Sequence, residues 1–124
     1  MKEAFSKTSL SFKSIGLFEG KNSNQNLKNY DVIILGGGHV PTQNKFFIGI
    51  NLKEKIKDFE GKIIGTSAGT MNCADIVYAQ PEFDVESLDS NYKRFLKGLN
   101  LTKIQVLPHY YVIYCLLIQN SLKI

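Results

Sequence analysis

The chain has 124 residues, 44% of them hydrophobic, and 15 Lys and Arg against 11 Asp and Glu give a net charge of +4, a size and balance that suit one globular domain. The lysines are dispersed among acids, as in Lys53-Glu54-Lys55-Ile56-Lys57-Asp58, rather than grouped with aromatic residues, which argues against a nucleic-acid partner. The two cysteines, Cys73 and Cys115, form no C-x-x-C pair and no apolar secretory segment follows Met1-Lys2-Glu3-Ala4, so a reducing, cytoplasmic setting is expected.

In chain order, residues 2–8 read as the end of a helix and Ser11 to Leu17 as a strand, followed by a polar linker over residues 20–26. Asp31-Val32-Ile33-Ile34-Leu35 is an apolar run that ends in Gly36-Gly37-Gly38-His39. This predicts a buried parallel strand leading into a loop whose backbone N–H groups can face a ligand. The loop lacks a G-x-G-x-x-G pattern and an acidic residue at ribose-binding distance, so no dinucleotide is expected. An oxyanion hole suits it better, with the Gly38 N–H as one donor. The competing reading is a tight loop that needs glycine only for its positive φ.

A helix is predicted over about residues 42–59, where Ile48, Leu52, Ile56 and Phe59 recur on one face and Gly61 ends the pattern. The strand at 62–66 then runs into Gly65-Thr66-Ser67-Ala68-Gly69, and Thr70 to Ala74 continue as a helical turn. G-x-S-x-G between a strand and a helix is the pattern of a nucleophile elbow, which holds a serine hydroxyl on a tight turn within reach of a base. Ser67 is the candidate nucleophile, and the N–H of Ala68 directly after it is the second oxyanion donor. The competing reading makes Ser67 an ordinary helix N-cap.

Glu82, Asp84, Glu86 and Asp89 punctuate a loop that could overhang the site and offer it a carboxylate, the simpler reading being a solvated acidic loop, and Asp89 to Leu99 is predicted as a helix with Tyr92, Phe95, Leu96 and Leu99 on one face. Asp89 or Ser90 would cap it, and Gly98 with Asn100 would end it. A third apolar strand is predicted over Ile104 to Pro108. His109 would then sit at a strand's C-terminal end, where open α/β sheets bind ligands. It is the candidate general base, and His39 is expected to line the pocket or bond a loop carbonyl. Neither histidine has a metal-site spacing such as H-E-x-x-H, so no metal is expected. The apolar run from Tyr110 to Ile118 falls short of the ~20 residues a membrane span requires.

Leu35-Gly36-Gly37-Gly38-His39, Gly65-Thr66-Ser67-Ala68-Gly69 and Leu107-Pro108-His109-Tyr110 together resemble the three signature blocks of the peptidase E family, the S51 serine peptidases, over about Phe12 to Tyr110. That family includes aspartyl dipeptidase, is related to cyanophycinase and has a fold similar to the class I glutamine amidotransferases. The resemblance implies an α/β fold, a three-layer sandwich with a mainly parallel, flavodoxin-like sheet, here incomplete. It implies a serine-type exopeptidase acting on short peptides, with a preference for N-terminal Asp, in which Ser67 is the nucleophile and His109 its base. A serine where the amidotransferases carry cysteine speaks against glutamine-derived ammonia chemistry.

Members of that family are longer, so residues 1–110 are expected to be a partial S51 domain, truncated at its start, and residues 111–124 a divergent or truncated tail. No Asp or Glu follows Asp89, whereas the resemblance implies a later carboxylate that orients the histidine. Loss of that role in a serine triad costs about 10⁴-fold in turnover. The alternative to an exopeptidase is therefore an inactive remnant or a non-catalytic binding module of the same family, pairing as a homodimer to cover exposed strand edges.

Overall fold

The computed structural model describes residues 2–107 as a mixed α/β structure. The helix α1 (Lys2–Ser6) is followed by a long irregular segment with 3₁₀ turns at Gly20–Asn22 and Leu27–Asn29. The expected strand at Ser11 to Leu17 does not form. A strand needs a ladder partner, and this stretch has none: Phe12 packs edge-on against Phe5 at 5.2 Å, and the carbonyl of Leu17 accepts from the Asn22 side chain at 2.7 Å.

The two isoleucine-rich runs form the parallel pair expected of them. β1 (Val32–Leu35) and β2 (Lys62–Gly65) align Val32 with Lys62, Ile33 with Ile63, Ile34 with Ile64 and Leu35 with Gly65. Alternation along a strand sends neighbouring side chains to opposite faces. Leu35, Ile33 and Ile63 therefore join a core with Leu27, Phe47, Leu52, Ile56 and Leu99, while Val32, Ile34 and Ile64 face outward and exposed.

Between these strands the single predicted helix is two: α2 (Val40–Gly49) and α3 (Leu52–Lys55). Pro41 suits the first turn of α2. The break is at Asn51, which takes the left-handed conformation at φ 52° and ψ 43°; asparagine is one of the few residues that visit it readily. The break resets the phase. Val40, Asn44 and Phe47 form the buried face of α2 and Ile48 is 65% exposed, whereas Leu52 and Ile56 beyond Asn51 return to the core.

After β2 the chain turns into α4 (Ala68–Asn72) and then β3 (Ile76–Tyr78). The predicted helix at Asp89 to Leu99 is overturned: α5 (Asp84–Leu88) lies before it, and β4 (Phe95–Lys97) pairs antiparallel with β3, with Val77 opposite Leu96. Two-fold alternation wins here because Leu96 packs inward on the cluster of Val40, Ala68, Met71, Val77 and Ala79. Phe95 on the other face meets the ring of Tyr78 across the strands at 5.5 Å. Gly98 is a point of close approach rather than a helix stop, since a Cβ there would collide with the carbonyl of Ala74 and lie 2.7 Å from Val77 Cγ2. The third predicted strand is also absent over Ile104 to Leu107, which run without a ladder and exposed; Pro108 lies outside the described residues.

Candidate active site

At the end of β2 the backbone of Ser67 is held at φ 51° and ψ −120°, a region that a side-chain-bearing residue occupies only when its surroundings enforce it. They do so through glycine. A Cβ at Gly65 would lie 2.7 Å from Thr70 Cα, and one at Gly69 would run into the carbonyl oxygen of Leu35, so only glycine lets α4 press against the strand ends. The turn is closed by Gly69 N–H donating to Thr66 O at 3.0 Å and Met71 N–H to Ser67 O at 3.1 Å. Ser67 is exposed, and its hydroxyl makes no capping bond to α4, so the N-cap alternative has no hydrogen bond behind it.

The glycine loop between β1 and α2 lies beside this turn. A Cβ at Gly37 would come within 3.3 Å of Ser67 Cβ and 3.8 Å of its Oγ. Gly38 takes φ +145°, which L side chains rarely adopt, so the backbone requirement for glycine is real alongside any role for its N–H. Among the described residues, the N–H groups of Gly37, Gly38 and Ala68 donate to no backbone acceptor. The fold thus brings the exposed Ser67 hydroxyl, the Ala68 amide and the glycine loop into one place. His109 lies outside the described residues, as do Cys115 and the 111–124 segment.

His39 bonds a hydroxyl rather than the expected loop carbonyl. Its Nδ1 is 2.8 Å from Thr42 Oγ1, its ring packs 5.4 Å from Phe83, and Nε2 stands 2.8 Å from Glu86 Oε1. The angle at Nε2 makes no hydrogen bond, so the contact is one of proximity to the carboxylate. Glu86 reaches back over the start of α5, accepting the N–H of Glu82 at 2.9 Å and of Phe83 at 3.3 Å. Desolvation pushes its carboxyl up, but those two N–H donors and His39 outweigh it and hold it below the usual glutamate range. Of the acidic segment, Glu86 meets His39, the residue directly after the glycine loop. Burial pushes the Cys73 thiol up, which keeps it protonated, and its Sγ lies 3.2 Å from Gly69 O, behind the serine turn.

A set of buried amides escaped the sequence reading. Asn44 and Asn72 are buried, Asn72 completely, and Asn44 Nδ2 donates to Asn72 Oδ1 at 3.0 Å and to Lys97 O at 2.8 Å. Asn72 Nδ2 donates to Gln43 Oε1 at 3.0 Å and to Val40 O at 3.4 Å. Gln43 Nε2 completes the series by donating to Gly36 O at 2.7 Å. The one sequence signal was Asn44 on the apolar stripe of α2 between Val40 and Phe47, a polar residue at a position that must find a partner.

The sequence model of peptidase family S51 matches residues 1–121, a longer stretch than the one carrying the three signature blocks. No curated protein and no solved structure matches the chain. Among the described residues, no helix is long and apolar enough to cross a membrane.

Proposed function

The chain belongs to peptidase family S51, and from that membership and the geometry at Ser67 we propose that it is a serine-type exopeptidase of the dipeptidase E kind, cleaving short peptides in the cytoplasm. In this reading Ser67 Oγ attacks the scissile carbonyl while His109 takes its proton and later delivers it to the leaving amine. The N–H groups of Gly38 and Ala68 stabilise the tetrahedral oxygen. The preference for N-terminal Asp comes with the family resemblance, as does the three-layer sandwich of which β1, β2 and their helices would form part.

The observation that carries the reading is the strained serine at φ 51° and ψ −120°, flanked by two glycines that cannot accept a Cβ. An exposed hydroxyl on such a turn, without a capping bond, has no structural employment that would justify the strain. Incubation with a fluorophosphonate probe tests it directly. We expect labelling of Ser67, abolished by Ser67→Ala and strongly slowed by His109→Gln, together with hydrolysis of Asp-X dipeptides. A probe that leaves Ser67 unmodified in folded protein overturns the assignment.

The outward face of β1 and β2 supports a second copy of this chain as partner. Val32, Ile34 and Ile64 are exposed there, whereas parallel strands ordinarily have both faces covered. We infer a homodimer that covers it.

A further inference from the structure

We propose that Gln43, with Asn72 and Asn44 behind it, is a positioning residue for the glycine loop, fixing the Gly36–Gly37 peptide, the one that leads into the peptide carrying the Gly38 N–H of the proposed oxyanion hole. This rests on the serine peptidase reading above. The sequence of donors is unbroken. Asn44 gives its two amide protons to Lys97 O and Asn72 Oδ1, Asn72 gives its own to Val40 O and Gln43 Oε1, and Gln43 gives one to Gly36 O. Three backbone carbonyls, at Lys97, Val40 and Gly36, can only accept, so reversing any amide would set acceptor against acceptor. Each side chain has one permitted orientation.

The last bond is the one with a chemical consequence. In a trans peptide the C=O and the following N–H point in opposite senses, and the described residues contain no cis bond. Gln43 holds Gly36 O turned inward at 2.7 Å, and the same oxygen faces Gly69, where a Cβ would stand 2.7 Å from it. The N–H of Gly37 is therefore turned away from the interior, on the exposed residue that lies against Ser67. Asn72 belongs to α4, the helix that begins immediately after Ser67. The serine turn and the glycine loop are thus tied to each other by side chains of α2 and α4.

Replacing Gln43 tests this. Gln43→Glu keeps the length and the acceptor for Asn72, but its carboxylate cannot donate to Gly36 O. With Ser67 labelling rate and dipeptide turnover as readouts, we expect about a 10²-fold fall in kcat, the scale of a misplaced reacting group, with KM within about twofold. Because a protonated carboxyl regains a donor, the activity of Gln43→Glu relative to the parent should recover as pH falls through the carboxyl's titration. A merely structural side chain would give no such recovery. Gln43→Leu lacks both partners and should be slow at every pH. If Gln43→Glu folds, by near-UV circular dichroism, and labels at the parental rate at all pH values, the proposal fails while the peptidase reading stands. If Gln43→Glu does not fold, Gln43→Leu decides on the same rates. A parent chain that does not label at Ser67 overturns both.

Discussion

Ser67 pays a conformational cost that its neighbours enforce, and that cost is measurable apart from any chemistry. At φ 51° and ψ −120° glycine is the residue least penalised, so Ser67→Gly should be more stable than Ser67→Ala by about 1 kcal/mol, the low end of what a strained dihedral stores, since glycine also has more freedom to lose on folding. Urea midpoints of the two variants check it, and equal midpoints would show the turn to be relaxed. The serine and its two glycines were legible in the sequence because a tight strand-to-helix turn leaves so few residue choices. The partners of His39 were not. Thr42 and Phe83 carry no pattern that marks them, and Glu86 lay in an acidic stretch whose simpler reading is a solvated loop.

At the scale of elements, α5 is tied to the residue after the glycine loop by the contact of Glu86 with His39. Glu86 has its carboxyl held below the ordinary range by the N–H groups of Glu82 and Phe83 and by His39, against the opposing pull of desolvation. A carboxyl whose pKa is lowered by folding stabilises the folded state above its unfolded value, and the contribution disappears as pH falls through the folded one. The advantage of the parent over Glu86→Gln in urea unfolding should therefore be full above the ordinary glutamate range and be lost as pH falls below it. A difference that is constant across that window would remove the carboxylate from the account. The elements themselves were unequally legible. β1 and β2 announced themselves as isoleucine runs between polar residues and glycine. Residues 92, 95, 96 and 99 fit a helical stripe, and only the pairing of Leu96 with Val77, a contact distant in sequence, selects the strand. The break between α2 and α3 was hidden because the stripe of Leu52, Ile56 and Phe59 continues with helical spacing from Ile48, whose side chain is nevertheless exposed.

For the whole molecule, the two-stranded parallel sheet presents Val32, Ile34 and Ile64 on a face that the described residues leave exposed, and the proposed homodimer makes this face its seam. Ile34→Lys and Ile64→Lys each place a charge there without touching the inward residues Ile33, Ile63 and Leu35. Sedimentation velocity should show the parent associating with rising concentration and either variant remaining monomeric. A parent that stays monomeric at high concentration, or variants that associate as it does, would reject this seam.

The bond from Asn44 to the carbonyl of Lys97 reaches further than its neighbours suggest. Through it the β3–β4 pair, which contributes no candidate reacting group, becomes the anchor post of an uncharged guy-line whose other end is the glycine loop. Acidity will slacken the Glu86 mooring while leaving that line taut, so damage to the β3–β4 pair should be felt at the serine even in variants whose electrostatics are untouched.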